Sequence, residues 1–168
     1  DPVSEEQQRG QARMAAQEVL VLSQTPLAPA AGVVDAWEYE LAPFESVEFK
    51  YTVGAGAPVV FKWEGSGPLH YDMHAHPFAG GEDVTESYGV GDAVLMQGRY
   101  TPAFDGIHGW FWQNRSLDNV TVRLEASGGM SHSTIYAANS AEERPLAGAA
   151  AGPQGSVEGH AMQQPAPE

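Results

Sequence analysis

From Val33 onward the chain alternates apolar and polar side chains with a period of two, which restricts it to β-strands with one face buried and one face wet. Trp37, Tyr39 and Leu41 alternate with Glu38 and Glu40, and Val47, Phe49, Tyr51 and Val53 with Glu48, Lys50 and Thr52. Val59, Phe61 and Trp63 follow, alternating with Val60, Lys62 and Glu64. Ala42-Pro43, residues 54–58 and Gly65-Ser66-Gly67-Pro68 read as the turns between them. Residues 77–83 form a Gly-rich loop, 84–90 a strand, Gly91-Asp92 a turn and 93–96 a short strand. Residues 106–114 are apolar on both faces: Ile107, Gly109 and Phe111 on one, His108, Trp110, Trp112 and Asn114 on the other. That is the pattern of a central strand covered on both sides. A polar hairpin loop at 115–119 leads into a last strand, where Val120, Val122 and Leu124 alternate with Thr121, Arg123 and Glu125. About eight short strands at this spacing predict an all-β, antiparallel β-sandwich over residues 33–128.

The flanks differ in composition. Ser4 with Gln7 makes a capping-box pattern, and Ala12, Ala15, Ala16, Val19 and Leu22 give a thin stripe, so a short helix is expected over residues 1–22. The Ala- and Pro-rich residues 23–32 complete an N-terminal helix-and-linker unit, 1–32. After Gly128 the period dissolves. Residues 129–168 read as a mostly disordered tail in which residues 133–138 can dock as a short extension.

Charge and composition exclude several classes. A formal charge of −14, with only eight Lys and Arg, rules out the basic stripe that nucleic-acid binding needs. With no cysteine there is no disulfide framework, thiolate metal site or Cys nucleophile. No run of about 18 apolar residues is present to span a membrane. The chain opens at Asp1 without a methionine, so a processed or truncated product is expected, following a removed signal or anchor. No nucleophile elbow, His-Glu-x-x-His helix or phosphate-cradling glycine loop occurs, so no enzyme activity and no organic cofactor are expected.

The one chemistry-bearing pattern is residues 69–76. On a strand, His70, Asp72, His74 and His76 share one face, and Leu69, Tyr71, Met73 and Ala75 the other. His-x-His on a strand brings two imidazoles close enough to share one metal ion, and His108 is a candidate third ligand from another strand. Three imidazoles suit zinc or copper, with Asp72 completing the shell and His70 peripheral. Met73 and Met96 offer thioether sulfur to Cu⁺, although Met73 points to the opposite face of a regular strand. The place of His108 depends on which side of its strand is the core. If Ile107 and Phe111 fill the core, His108, Trp110 and Trp112 are exposed together. If the tryptophans are core, His108 is a structural histidine.

Two segments also carry a resemblance. Residues 104–116, Phe-Asp-Gly-Ile-His-Gly-Trp-Phe-Trp-Gln-Asn-Arg-Ser, followed by the strand 120–125, resemble the closing strands of GOLD-type β-sandwiches. Together with Tyr71-Asp72-Met73-His74, the run His108-Gly109-Trp110-Phe111-Trp112 looks like a group of bacterial proteins labelled transmembrane anchor proteins. The resemblance covers roughly residues 33–128. It implies a periplasmic GOLD-like domain tethered to the inner membrane by an N-terminal helix, with heavy-metal efflux or transport complexes as partners. The chain departs from that pattern at His76, where Gly or an acidic residue is expected, so His76 as a ligand rests on its spacing.

The expectation is therefore a membrane-tethered periplasmic accessory domain, non-enzymatic, that binds or senses one copper or zinc ion in heavy-metal homeostasis. The alternative is a protein-interaction module that uses Trp110 and Trp112 as an exposed aromatic patch on a partner in a membrane complex.

Overall fold

A computed structural model describes residues 19–79 and 85–149 of the 168-residue chain. The described residues form nine strands and no helical element. These are β1 (Leu20–Leu22), β2 (Val33–Leu41), β3 (Ser46–Val53), β4 (Val59–Pro77), β5 (Glu86–Tyr100), β6 (Gly106–Gln113), β7 (Val120–Gly128), β8 (His132–Ala137) and β9 (Ser140–Pro145). All pairings are antiparallel. The expected all-β antiparallel sandwich is therefore present. The helix expected over residues 1–22 falls mostly outside the described residues, but its last turn is corrected: Leu20–Leu22 is a strand paired with β5.

Two long strands organise the sandwich. The first half of β4 pairs with β7, its second half with β6, and β5 follows it along both halves. One layer therefore runs β1-β5-β4-β7-β2 and the other β5-β4-β6-β3-β8-β9. Gly65 to Pro68 and Gly91-Asp92, expected as turns, lie inside these continuous strands. Their glycines instead supply a bend. Between Glu64 and Leu69 five steps of β4 oppose the two steps from Leu95 to Ala93 of β5, and this slip lets the strand pass from one sheet to the other. The hairpin expected at 115–119 is likewise a crossover. β6 pairs with β3 and β4, and β7 with β2 and β4, so the loop joins opposite layers. Asn114 builds it, donating from Nδ2 to the Leu41 and Asp118 carbonyls while its Oδ1 accepts from the Ser116 amide.

The inter-sheet core is aromatic. Trp37 of one layer meets Phe49 and Trp112 of the other at ring separations of 4.7 and 5.9 Å, and Phe61 meets Trp110 at 5.0 Å. These contacts place Trp110 and Trp112 in the core with Val47, Phe49, Leu69 and Met73.

The tail expected to lack structure after Gly128 forms the β8–β9 hairpin through residue 145, and β8 adds to the edge of β3. Three interactions hold it. Met130 and Leu146 enter the core, β8 makes main-chain bonds along Glu48–Thr52, and Arg144 donates to Asp35 Oδ2 at 2.8 Å. The same carboxylate oxygen accepts the Tyr51 hydroxyl at 2.8 Å, so one buried Asp on β2 ties β3 and β9 together.

Candidate metal centre

The cross-strand register of β3, β6 and β4 decides which side chains share a face. Lys50 lies opposite Gly109, which lies opposite His74; Glu48, Phe111 and Asp72 form the next row, and Thr52, Ile107 and His76 the row on the other side. Directly paired residues project to the same face. Glu48, Lys50, Asp72, His74 and His76 therefore stand together on the face turned away from the tryptophan core. Tyr51, His108 and Ala75 form a row on the opposite face.

Glycine at 109 permits the cluster. β6 separates β3 from β4, so Glu48 and Lys50 must reach across roughly 10 Å of sheet to meet His74. A Cβ at Gly109 falls 2.0 Å from the Phe49 carbonyl oxygen and 3.0 Å from Lys50 Cα, so only glycine fits between the strands here. Over this gap Lys50 Nζ donates to the His74 carbonyl at 2.8 Å, and Glu48 Oε1 lies 3.1 Å from His74 Nε2 and 3.5 Å from Lys50 Nζ.

Glu48, His74 and His76 are all buried, and each offers a ligand atom within 4.8 Å of the other two. Ligands about 2.1 Å from one tetrahedral ion lie ~3.4 Å from each other, so the group needs at most ~1.4 Å of closure. The outer contacts have the form that orients metal-bound imidazoles. His74 Nδ1 lies 3.3 Å from the Asp72 carbonyl and 3.4 Å from Asp72 Oδ1, and Ser87 donates to that same Oδ1 at 3.1 Å. His76 Nδ1 pairs with Thr85 Oγ1 at 3.0 Å. In both rings the Nδ1 atom is engaged outward and Nε2 is the nitrogen on the remaining side. Burial pulls the Lys50 ammonium down to about 8, opposed first by the charge of Glu48 and then by Asp72.

The structure brings some of the residues singled out from the sequence together and separates others. His74 and His76 share one face, as the strand pattern predicts, with ring centroids 5.2 Å apart, and both are buried. Asp72 supports His74 from outside the group. His70 shares their face but lies four residues along β4, about 13 Å away, and pairs with Asp92 at 3.1 Å. His108 is corrected outright. It lies on the core face, donating from Nε2 to the Phe104 carbonyl at 2.9 Å and accepting the Tyr100 hydroxyl at Nδ1 at 2.5 Å. Burial pushes it down to about 4, against the Phe104 bond, so it is a neutral structural histidine. Trp110 and Trp112, offered as an exposed partner patch, are 2% and 0% exposed, because the indoles stack on each other and on Trp37 between the sheets. Glu48 was missed. Its alternation with Val47 and Phe49 is indistinguishable from an ordinary wet face; the clue lay in its neighbour in the sheet, β6, which is apolar on both sides.

These features define an all-β antiparallel sandwich carrying a buried carboxylate–imidazole group that can bind a metal. No family model matches the chain, and no curated protein matches it. Among solved structures it is similar to a cupin-superfamily sugar phosphate isomerase from Silicibacter pomeroyi DSS-3, with 14% identity, 80% of this chain and 82% of that one covered, and a TM-score of 0.33. At that level the likeness bears on neither mechanism nor substrate.

Proposed function

We propose that this chain is a non-enzymatic accessory domain that binds one zinc or copper ion through Glu48, His74 and His76. The observation that carries the reading is the convergence of these three buried ligand atoms within 4.8 Å on one face of one sheet. Carboxylate with two imidazoles suits either ion. A GOLD-like character of the domain and a periplasmic, membrane-tethered setting beside a metal-efflux or transport complex belong to the same proposal. They are supported by the likeness of Tyr71-Asp72-Met73-His74 and His108-Gly109-Trp110-Phe111-Trp112 to anchored bacterial proteins. The interaction alternative loses its basis, since both of its tryptophans are buried.

One contact favours a second reading. Lys50 already faces Glu48 at 3.5 Å with both side chains fully buried, so the group can serve as a metal-free charge network that fixes the sheet. Calorimetric titration of the domain with Zn²⁺ and with Cu²⁺ separates the two. Metal binding predicts saturation at one equivalent, lost in the Glu48→Gln and His74→Ala variants. No saturable heat with either ion sinks the metal reading and leaves the charge network.

A further inference from the structure

We infer that Lys50 sets the metal affinity of this site by acting as a built-in competing cation for Glu48. The inference rests on the metal reading above and adds the determinant of how tightly the site holds its ion. Lys50 Nζ lies 3.5 Å from Glu48 Oε1, the same oxygen that meets His74 Nε2 at 3.1 Å. An ion bound to that oxygen at about 2.1 Å sits no more than ~5.6 Å from the ammonium. Both groups have no exposed side-chain surface, so water does not screen the repulsion.

The ammonium is also held in place. Its 2.8 Å bond to the main-chain carbonyl of His74 tethers it to the strand that supplies both imidazoles. Swinging away would leave that carbonyl and a buried charge unpaired. Among the described residues, the charged side chains that meet at this site are Glu48 and Asp72, both negative, and Lys50, positive. They sum to −1 with neutral imidazoles, so a divalent ion leaves the site at +1. Without the Lys50 charge the same ion brings it to neutrality. Lys50 thus lets the site fold without metal, its carboxylate already compensated, and at the same time weakens metal retention. That combination suits an ion that must be released again rather than a permanent structural one.

The test is the zinc affinity of the intact domain, wild type against Lys50→Met and Lys50→Gln, with Lys50→Arg as the charge-preserving control. Gln keeps a polar, uncharged end on a shorter stem and serves as the deciding variant where Met disturbs folding. The expected result is zinc binding at least tenfold tighter in the two neutral variants and within about threefold of wild type in Lys50→Arg. Unchanged or weaker binding in a folded neutral variant, alongside saturable wild-type binding abolished by His76→Ala, overturns the role of Lys50 alone. A wild-type domain that binds no zinc overturns both the role and the site.

Discussion

The two faces of the β3–β6–β4 sheet hold histidines of opposite kinds, one residue apart in register. Ala75 pairs with His108 on the core face, while His74 and His76 flank it on the other. His108 has both nitrogens satisfied, by a hydroxyl and a carbonyl, and packs against the rings of Tyr100 and Phe104. His74 and His76 stand among a carboxylate, an ammonium and hydroxyls. Both faces are buried, so burial does not distinguish a structural histidine from a candidate ligand here. What distinguishes them is whether the side chains that meet the ring nitrogens carry charge: none does at His108, whereas Glu48 and Asp72 do at His74.

Substitutions on each face should separate the two environments. The largest effect is expected on the core face. Trp112→Ala removes a fully buried indole packed on Trp37, Trp63 and Trp110, and should cost about 3 to 5 kcal/mol in urea unfolding. A cost under about 1 kcal/mol would mean that the indole does not anchor the core. Gly109→Ala comes next, at about 3 kcal/mol, because the new methyl meets β3 backbone rather than a side chain that can swing aside. Its distinguishing mark is loss of zinc affinity even where the fold survives, since β3 is pushed away from β4.

The pH dependence of stability divides the faces too. The native His108 value of about 4 lies below the unfolded value of about 6.5, so the unfolded chain binds the extra proton between them. Stability should therefore be intact above pH ~6.5 and fall as the pH drops toward 4, by up to about 3 kcal/mol from this one group. His108→Gln should flatten the urea midpoint across that window, and an unchanged slope would assign the acid sensitivity elsewhere. The smallest effect is expected for His70→Ala. Its partner Asp92 is largely exposed, so the pair is worth no more than about 0.5 kcal/mol and zinc binding should not change.

How much of this was legible in the sequence follows from the range of each signal. Period two gave the strands and the side of β4 on which His74 and His76 lie, because alternation is local. The turns at Gly65 to Pro68 and Gly91-Asp92 were misread, because glycine marks a bend inside a long strand as readily as a reversal between two. β8 and β9 left only a hint at residues 133–138. They are short and polar, and owe their place to partners far away in sequence: the edge of β3, and Asp35 for Arg144. The buried Glu48–His74–His76 group was half legible for the same reason. Its imidazoles are neighbours on one strand, whereas Glu48 arrives from β3 across β6, and only the register reveals that it belongs. His108 was undecidable until the core face was fixed. Trp37 stacking on Trp112 fixes it.

The most direct measurement is the nitrogen-15 spectrum of the histidine side chains of the intact protein during stepwise addition of Zn²⁺. The expected result is that the Nε2 resonances of His74 and His76 shift together and saturate at one equivalent. His108 should keep the Nε2–H tautomer that its Phe104 bond dictates, and His70 should not move. Shifts led by His108, or no change at His74 and His76, would contradict a metal centre on the outer face of the sheet.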